Sequence, residues 1–162
     1  MKKILVLGLG NEILSDDGIA PRLIKDLSES FSGENFDFEA CSCGGLEIPE
    51  LIQGYRQAVL IDAINLPDTD PGDVLHFVPE DFKETSNLSN LHDINFITAL
   101  SLGKTLGIDM PDDIHIIAIK IVEDSEFSEK LSPEIEKIYP GILMKVKKLI
   151  ASISGMQTIS VM

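Results

Sequence analysis

Four side chains have types and positions that could work together chemically. Asp16 and Asp17 are adjacent behind the stretch GLGNEILS, Asp62 interrupts the apolar run AVLIDAI, and His92 follows the polar stretch SNLSNL. An unpaired carboxylate inside a buried strand costs several kcal/mol. Asp62 therefore needs a partner, a metal, or a place at the solvent-facing end of its strand, and a hydrogen-bonded structural acid is an equally open reading. Asp16 and Asp17 stand where a helix should begin, so one of them can cap it and complement its dipole. Both cannot aim at the same N–H groups, which leaves one of the two acids to project into the cleft above the sheet, where Asp17 and Asp62 would share a crevice. His92 is placed either to cap the following helix or to act as a ligand. Two carboxylates and one imidazole form a mixed oxygen and nitrogen donor set suited to a divalent ion such as Zn, Ni or Mn, with coordination positions left open.

Other chemistry is poorly supported. Gly8-Leu9-Gly10-Asn11 follows an apolar run as in a dinucleotide-binding turn, but the third glycine of G-x-G-x-x-G is replaced by Ile13, and no G-K-[ST] occurs. Cys41 and Cys43 form C-x-C without a second cysteine pair, which points to small thiols at a strand end rather than a metal site. No G-x-S-x-G elbow exists, so a serine hydrolase lacks its nucleophile. His76 and His115 lie within predicted strands, where a satisfied ring is the ordinary reading.

The elements that must position these residues alternate. Lys3 to Gly8 and Ala58 to Ile64 are runs of β-branched and leucine residues, the pattern of strands buried on both faces. Phe36 to Ala40 and Ile114 to Val122 are further strands, and Val74 to Val78, more amphipathic, is placed nearer an edge. Ala20, Leu23, Ile24, Leu27 and Phe31 fall at helical spacing after Ser15 or Asp16 as N-cap, with Pro21 tolerated in the first turn. Short helical stretches follow around 48–53 and from about Asp93 to Leu106. Ser132 and Pro133 open a last helix, which Pro140 and Gly141 should kink or split. The expected fold is a three-layer α/β/α domain spanning 1–155, with a mostly parallel twisted sheet of about five strands flanked by helices. Residues 156–162 form a frayed tail. In such a sheet function gathers at the carboxyl ends of the strands.

Composition narrows the partners. Among 162 residues, 27 acidic side chains outnumber 13 basic ones, and the net charge of −14 repels phosphate backbones and anionic lipid. Neither nucleic acid nor membrane insertion is expected, the latter because no apolar run approaches the ~20 residues a span requires. The N-terminal apolar run breaks at Gly8 and Gly10 without a cleavage site, so a cytoplasmic location with reduced cysteines is expected.

The ordered segments GLGNEILSDDGIAPRLIKDL, GGLEIPELI, AVLIDAINLPDTDPGDV, SNLHDINFITALSL and FSEKLSPEIEKIYPGI resemble the hydrogenase maturation protease family over nearly the whole chain. The resemblance implies an endopeptidase, classed as aspartic-type, that removes the C-terminal extension of a nickel-iron hydrogenase large-subunit precursor after nickel insertion. It implies that Asp17, Asp62 and His92 are the catalytic and metal-binding trio, meeting nickel supplied by the substrate. It also implies that Gly44-Gly45 takes part in substrate handling. The chain departs from the family in having Ala20-Pro21 where glycine is common, and Asp17 where some members have glutamate. The resemblance names no nucleophile, and water activated by a carboxylate is the natural choice. Two alternatives of other classes remain: a non-catalytic nickel-checking chaperone of the same precursor, and a flavodoxin-like nucleotide binder using GLGN.

Overall fold

The computed structural model describes residues 2–31, 33, 35–43, 45–66, 68–82 and 91–155, without the side chains of 82 and 91–95. Its elements in chain order are β1 (Ile4–Leu9), α1 (Ile19–Ser30), β2 (Phe36–Cys41), α2 (Ile48–Ile52), β3 (Gln57–Ile64), β4 (Val74–Phe77), α3 (Leu91–Thr105), β5 (Asp113–Lys120) and α4 (Pro133–Ile153). Five strands form one sheet in the order β2-β1-β3-β5-β4. All neighbours are parallel except β4, which pairs antiparallel with β5 at the edge.

Strand periodicity divides the core into two layers. Ile4, Val6, Val59, Ile61, Ile117 and Ile119 face one way and pack with Leu23 and Leu27 of α1 and Ile135, Ile142 and Val146 of α4. Leu5, Leu7, Ala58, Leu60, Ile114 and Ile116 face the other way, against Ile48 and Ile52 of α2 and Phe96 and Leu100 of α3. The central strands therefore bury both faces, as their unbroken apolar runs require. Each Val, Leu, Ile or Phe side chain among them contributes about 1.5–3 kcal/mol when fully buried. A polar clamp ties the two helices of the first layer together. Arg22 of α1 donates to Glu136 of α4 at 2.5 and 3.1 Å and lies 3.9 Å over the Tyr139 ring, and the Tyr139 hydroxyl donates to Asp26. Burial, with Asp26 beside it, raises the Tyr139 phenol well above its ordinary pKa.

Three local expectations change. α1 is capped at Gly18 with no side-chain cap bond, because Ser15–Gly18 forms a 3-10 turn of its own ahead of the helix. α4 runs unbroken through Pro140, buried apolar side chains on both sides of the proline offsetting its lost hydrogen bond. Its start is as expected, with Pro133 at the first position and Ser132 Oγ accepting from Ile135 N–H. Cys41 and Cys43 are joined by a disulfide rather than held as thiols, since the C-x-C turn brings their Cα atoms to 5.2 Å, within bridging range. The tail 156–162 lies outside the described residues. Among the described residues no helix is long and apolar enough to cross a membrane.

Candidate active site

The order β2-β1-β3-β5-β4 sets a topological switch at β1 and β3. After β1 the chain passes to α1 on one face, and after β3 it passes toward β4 and α3, the latter on the other face. The loops leaving the two strands part, and a crevice opens at their carboxyl ends. A cleft of about 390 Å³ occupies that place, with Gly10, Asn11, Asp17, Asp62, Asn65 and Asp124 as its principal loop and strand-end lining.

Asp62 reaches the cleft through strand parity. It continues the Ala58 and Leu60 alternation, so its side chain belongs to the face covered by α2 and α3, and its register neighbours are Leu9 and Ala118. It lies two residues before the end of β3. Asp62 is half-buried there and lines the cleft.

Asp17 reaches the cleft through the loop 10–17. Its Oδ2 accepts from Asn11 N–H at 2.8 Å, which folds the loop back on itself. Gly10 makes the fold possible: a Cβ there would stand 2.1 Å from the Asp17 carbonyl oxygen. The neighbouring acid does something else entirely. Asp16 is fully buried and accepts from Val122 N–H at 3.1 Å, Glu123 N–H at 2.9 Å, Ser132 N–H at 2.6 Å and Ser132 Oγ–H at 2.8 Å. It caps no helix of its own loop; it pins that loop to the segment after β5 and to the start of α4. Asp16 N–H and Ser15 N–H complete the attachment by donating to the carbonyls of Glu123 and Ser128. Ser15 takes a left-handed conformation, φ 50°, to make this junction.

His92 is the second residue of α3, inside the helix rather than before it, and its side chain lies outside the described residues. Of the glycine pair, Gly44 lies outside the described residues and Gly45 lines the cleft. The structure thus brings Asp17 and Asp62 to one cleft and leaves the third member of the trio on the element that covers the same face of the sheet. Sequence reasoning missed Asp124, which also lines the cleft. It sits in an irregular acidic stretch after β5 that carries no periodic signal.

The other histidines are elsewhere. His76 of β4 and His115 of β5 approach at 2.8 Å between Nε2 and Nδ1, and His115 Nε2 is 2.6 Å from Asp113, whose other oxygen accepts from Gln57. Burial and the neighbouring His115 hold the His76 imidazole below its ordinary pKa. Asp113 and His115 belong to the start of β5, away from the strand ends that form the cleft.

Known proteins place this architecture. A [NiFe] hydrogenase maturation protease, HybD, from Thermococcus kodakarensis superposes with a TM-score of 0.67 at 26% identity, over 91% of this chain and 98% of that one. The hydrogenase maturating endopeptidase HybD from Escherichia coli superposes with a TM-score of 0.70 at 23% identity, over 93% of both chains, and at that identity shares the fold. The hydrogenase expression/formation protein HupD of Thiocapsa roseopersicina is 29% identical over 154 residues, covering 91% of this chain and 67% of that protein. The sequence profile of the hydrogenase maturation proteases matches residues 21–149, most of the chain. That match, over far more than half of the chain and on the same α/β fold, establishes that the chain belongs to the hydrogenase maturation protease family and is an endopeptidase of that class.

Proposed function

We propose that this endopeptidase removes the C-terminal extension of a nickel-iron hydrogenase large-subunit precursor after nickel has been inserted, reading the substrate's nickel with Asp17, Asp62 and His92. The observation that carries the reading is the shared cleft of Asp17 and Asp62 at the carboxyl ends of β1 and β3. The donor set supports it. Carboxylate and imidazole groups suit a divalent ion that arrives with open positions, and a pre-formed, partly apolar cleft suits an extended peptide segment. Leu60, Phe96, Ile116 and Ala118, all buried, give the cleft an apolar lining beside the two acids. In this reading the peptide carbonyl lies beside the substrate's nickel, and water attacks it. A cleft carboxylate takes the proton of that water and returns it to the leaving amine. Nickel serves here as part of the substrate, so the protease is idle toward a precursor without it.

The test is incubation with nickel-loaded precursor, followed by mass spectrometry of the large subunit. The wild-type chain should release a short C-terminal peptide, and Asp17→Asn, Asp62→Asn and His92→Ala should each slow release by at least about 100-fold, the scale of removing a positioned acid or base. Unchanged cleavage by all three variants overturns the site assignment. Nickel-dependent co-purification with no mass loss would make the protein a checking chaperone.

A further inference from the structure

The C-x-C pair gains from the fold the third ligand that its sequence neighbourhood does not advertise. Cys41 ends β2 in register with Leu9 of β1, so it stands at the same sheet edge as the cleft. The chain then turns through Ser42 and Cys43 into a 3-10 turn, Gly45–Glu47, that folds Glu47 back toward the sulfurs. One ligand atom from each of Cys41, Cys43 and Glu47 lies within 4.8 Å of the other two. Both cysteines are half-buried and Glu47 is exposed, so the cluster opens outward. It also borders the cleft, whose wall includes Ser42, Cys43 and Gly45.

In the disulfide the sulfurs are poor ligands, because metals are bound by thiolate. A dithiol reductant changes that: two exchange steps leave Cys41 and Cys43 as thiols and the reductant as a cyclic disulfide, two electrons passing to the protein. A divalent ion then displaces two thiol protons and binds two sulfurs and the Glu47 carboxylate. Two thiolates select a thiophilic ion of the zinc type over magnesium, calcium or manganese, and three protein ligands leave a fourth tetrahedral position open.

We propose that Cys41, Cys43 and Glu47 form a redox-gated site for a thiophilic divalent cation at the rim of the cleft, closed in the disulfide and opened by reduction. The site is separate from the acids at the cleft. It has a mechanical route to them, since the Gly45–Glu47 turn packs against α3, the helix whose second residue is His92. Binding or oxidation at the rim therefore bears on the helix that carries the third proposed reader of substrate nickel.

Cobalt(II) tests the proposal, because its thiolate complexes absorb by sulfur-to-metal charge transfer and its carboxylate and imidazole complexes do not. The full chain is reduced with dithiothreitol, freed of reductant by anaerobic gel filtration and titrated with Co²⁺. Charge-transfer absorption should saturate at one equivalent, disappear on adding Zn²⁺, and be absent from the unreduced chain and from reduced Cys41→Ser. Glu47→Gln should weaken Co²⁺ binding by at least the ~10–100-fold that even outer-shell changes cost. The double variant Asp17→Asn/Asp62→Asn should keep both band and affinity. The proposal is overturned by no band in the reduced chain, an equal band in the unreduced chain, full affinity in Glu47→Gln, or loss of the band in the double variant.

Discussion

Asp16 and Asp17 are the same residue type side by side, and the structure gives them opposite work. Asp16 holds four donors in a fully buried position, while Asp17 holds one and faces the cleft. Hydrogen bonds to a charged group contribute about 1.5–3 kcal/mol, and each buried donor left unpaired costs a further ~1–3 kcal/mol. Asp16→Ala should therefore lower unfolding free energy by about 3 kcal/mol or more, read by urea denaturation. Asp17→Ala, which loses a single part-buried bond, should lower it by about 1.5 kcal/mol, half or less of the Asp16 loss, while abolishing precursor cleavage. Equal stability losses in the two variants would contradict the division of roles. The sequence showed that two adjacent acids could not share one cap. It could not show which acid is structural, because the partners of Asp16 lie more than 100 residues away in the chain.

At the scale of elements, the site depends on how closely a loop approaches a strand end. Gly8 and Gly10 let the 10–17 loop and the start of α1 press onto β1, and a Cβ at Gly10 meets backbone rather than a movable side chain. Gly10→Ala should displace the loop and with it the Asp17 carboxylate. The expected result is a loss of about 1–3 kcal/mol in stability, the usual cost of overpacking. Cleavage should fall by a further ~100-fold, as misplacing a positioned group by about 1 Å does. A variant with native stability and full cleavage would show that the loop tolerates the side chain. The glycines first suggested a phosphate cradle. In the structure, close backbone packing accounts for Gly8 and Gly10 without a nucleotide. Helix starts were less legible than strands. The 3-10 turn Ser15–Gly18 replaces the expected cap because Asp16 is drawn away by distant donors.

Over the whole molecule, charge is the dominant global feature. Exposed pairs such as Lys2 with Asp109 and Lys3 with Asp37 contribute at most about 1 kcal/mol each, and salt weakens them. The excess of 27 acids over 13 bases acts on every part of the surface and disfavours the compact state. Screening that repulsion should outweigh the loss of a few exposed pairs. Thermal unfolding by circular dichroism should shift upward as sodium chloride rises from low to physiological ionic strength. A downward shift would mean that specific ion pairs, not net repulsion, govern the surface.

The α/β class and the buried central strands were legible in the residues alone, because burial on both faces writes an unbroken apolar run and helices write a 3.6-residue period. Asp62 was legible too, since a charge inside such a run is conspicuous whatever surrounds it. Whatever depends on residues far apart in the chain emerged with the three-dimensional fold. It put Asp17 and Asp62 on one cleft, made Asp16 an anchor for the segment after β5, kept α4 whole across Pro140 by packing its flanking turns, and brought Glu47 to the cysteines. Local composition records propensity and burial. Which donors meet which acceptors is settled when strands and loops are folded together.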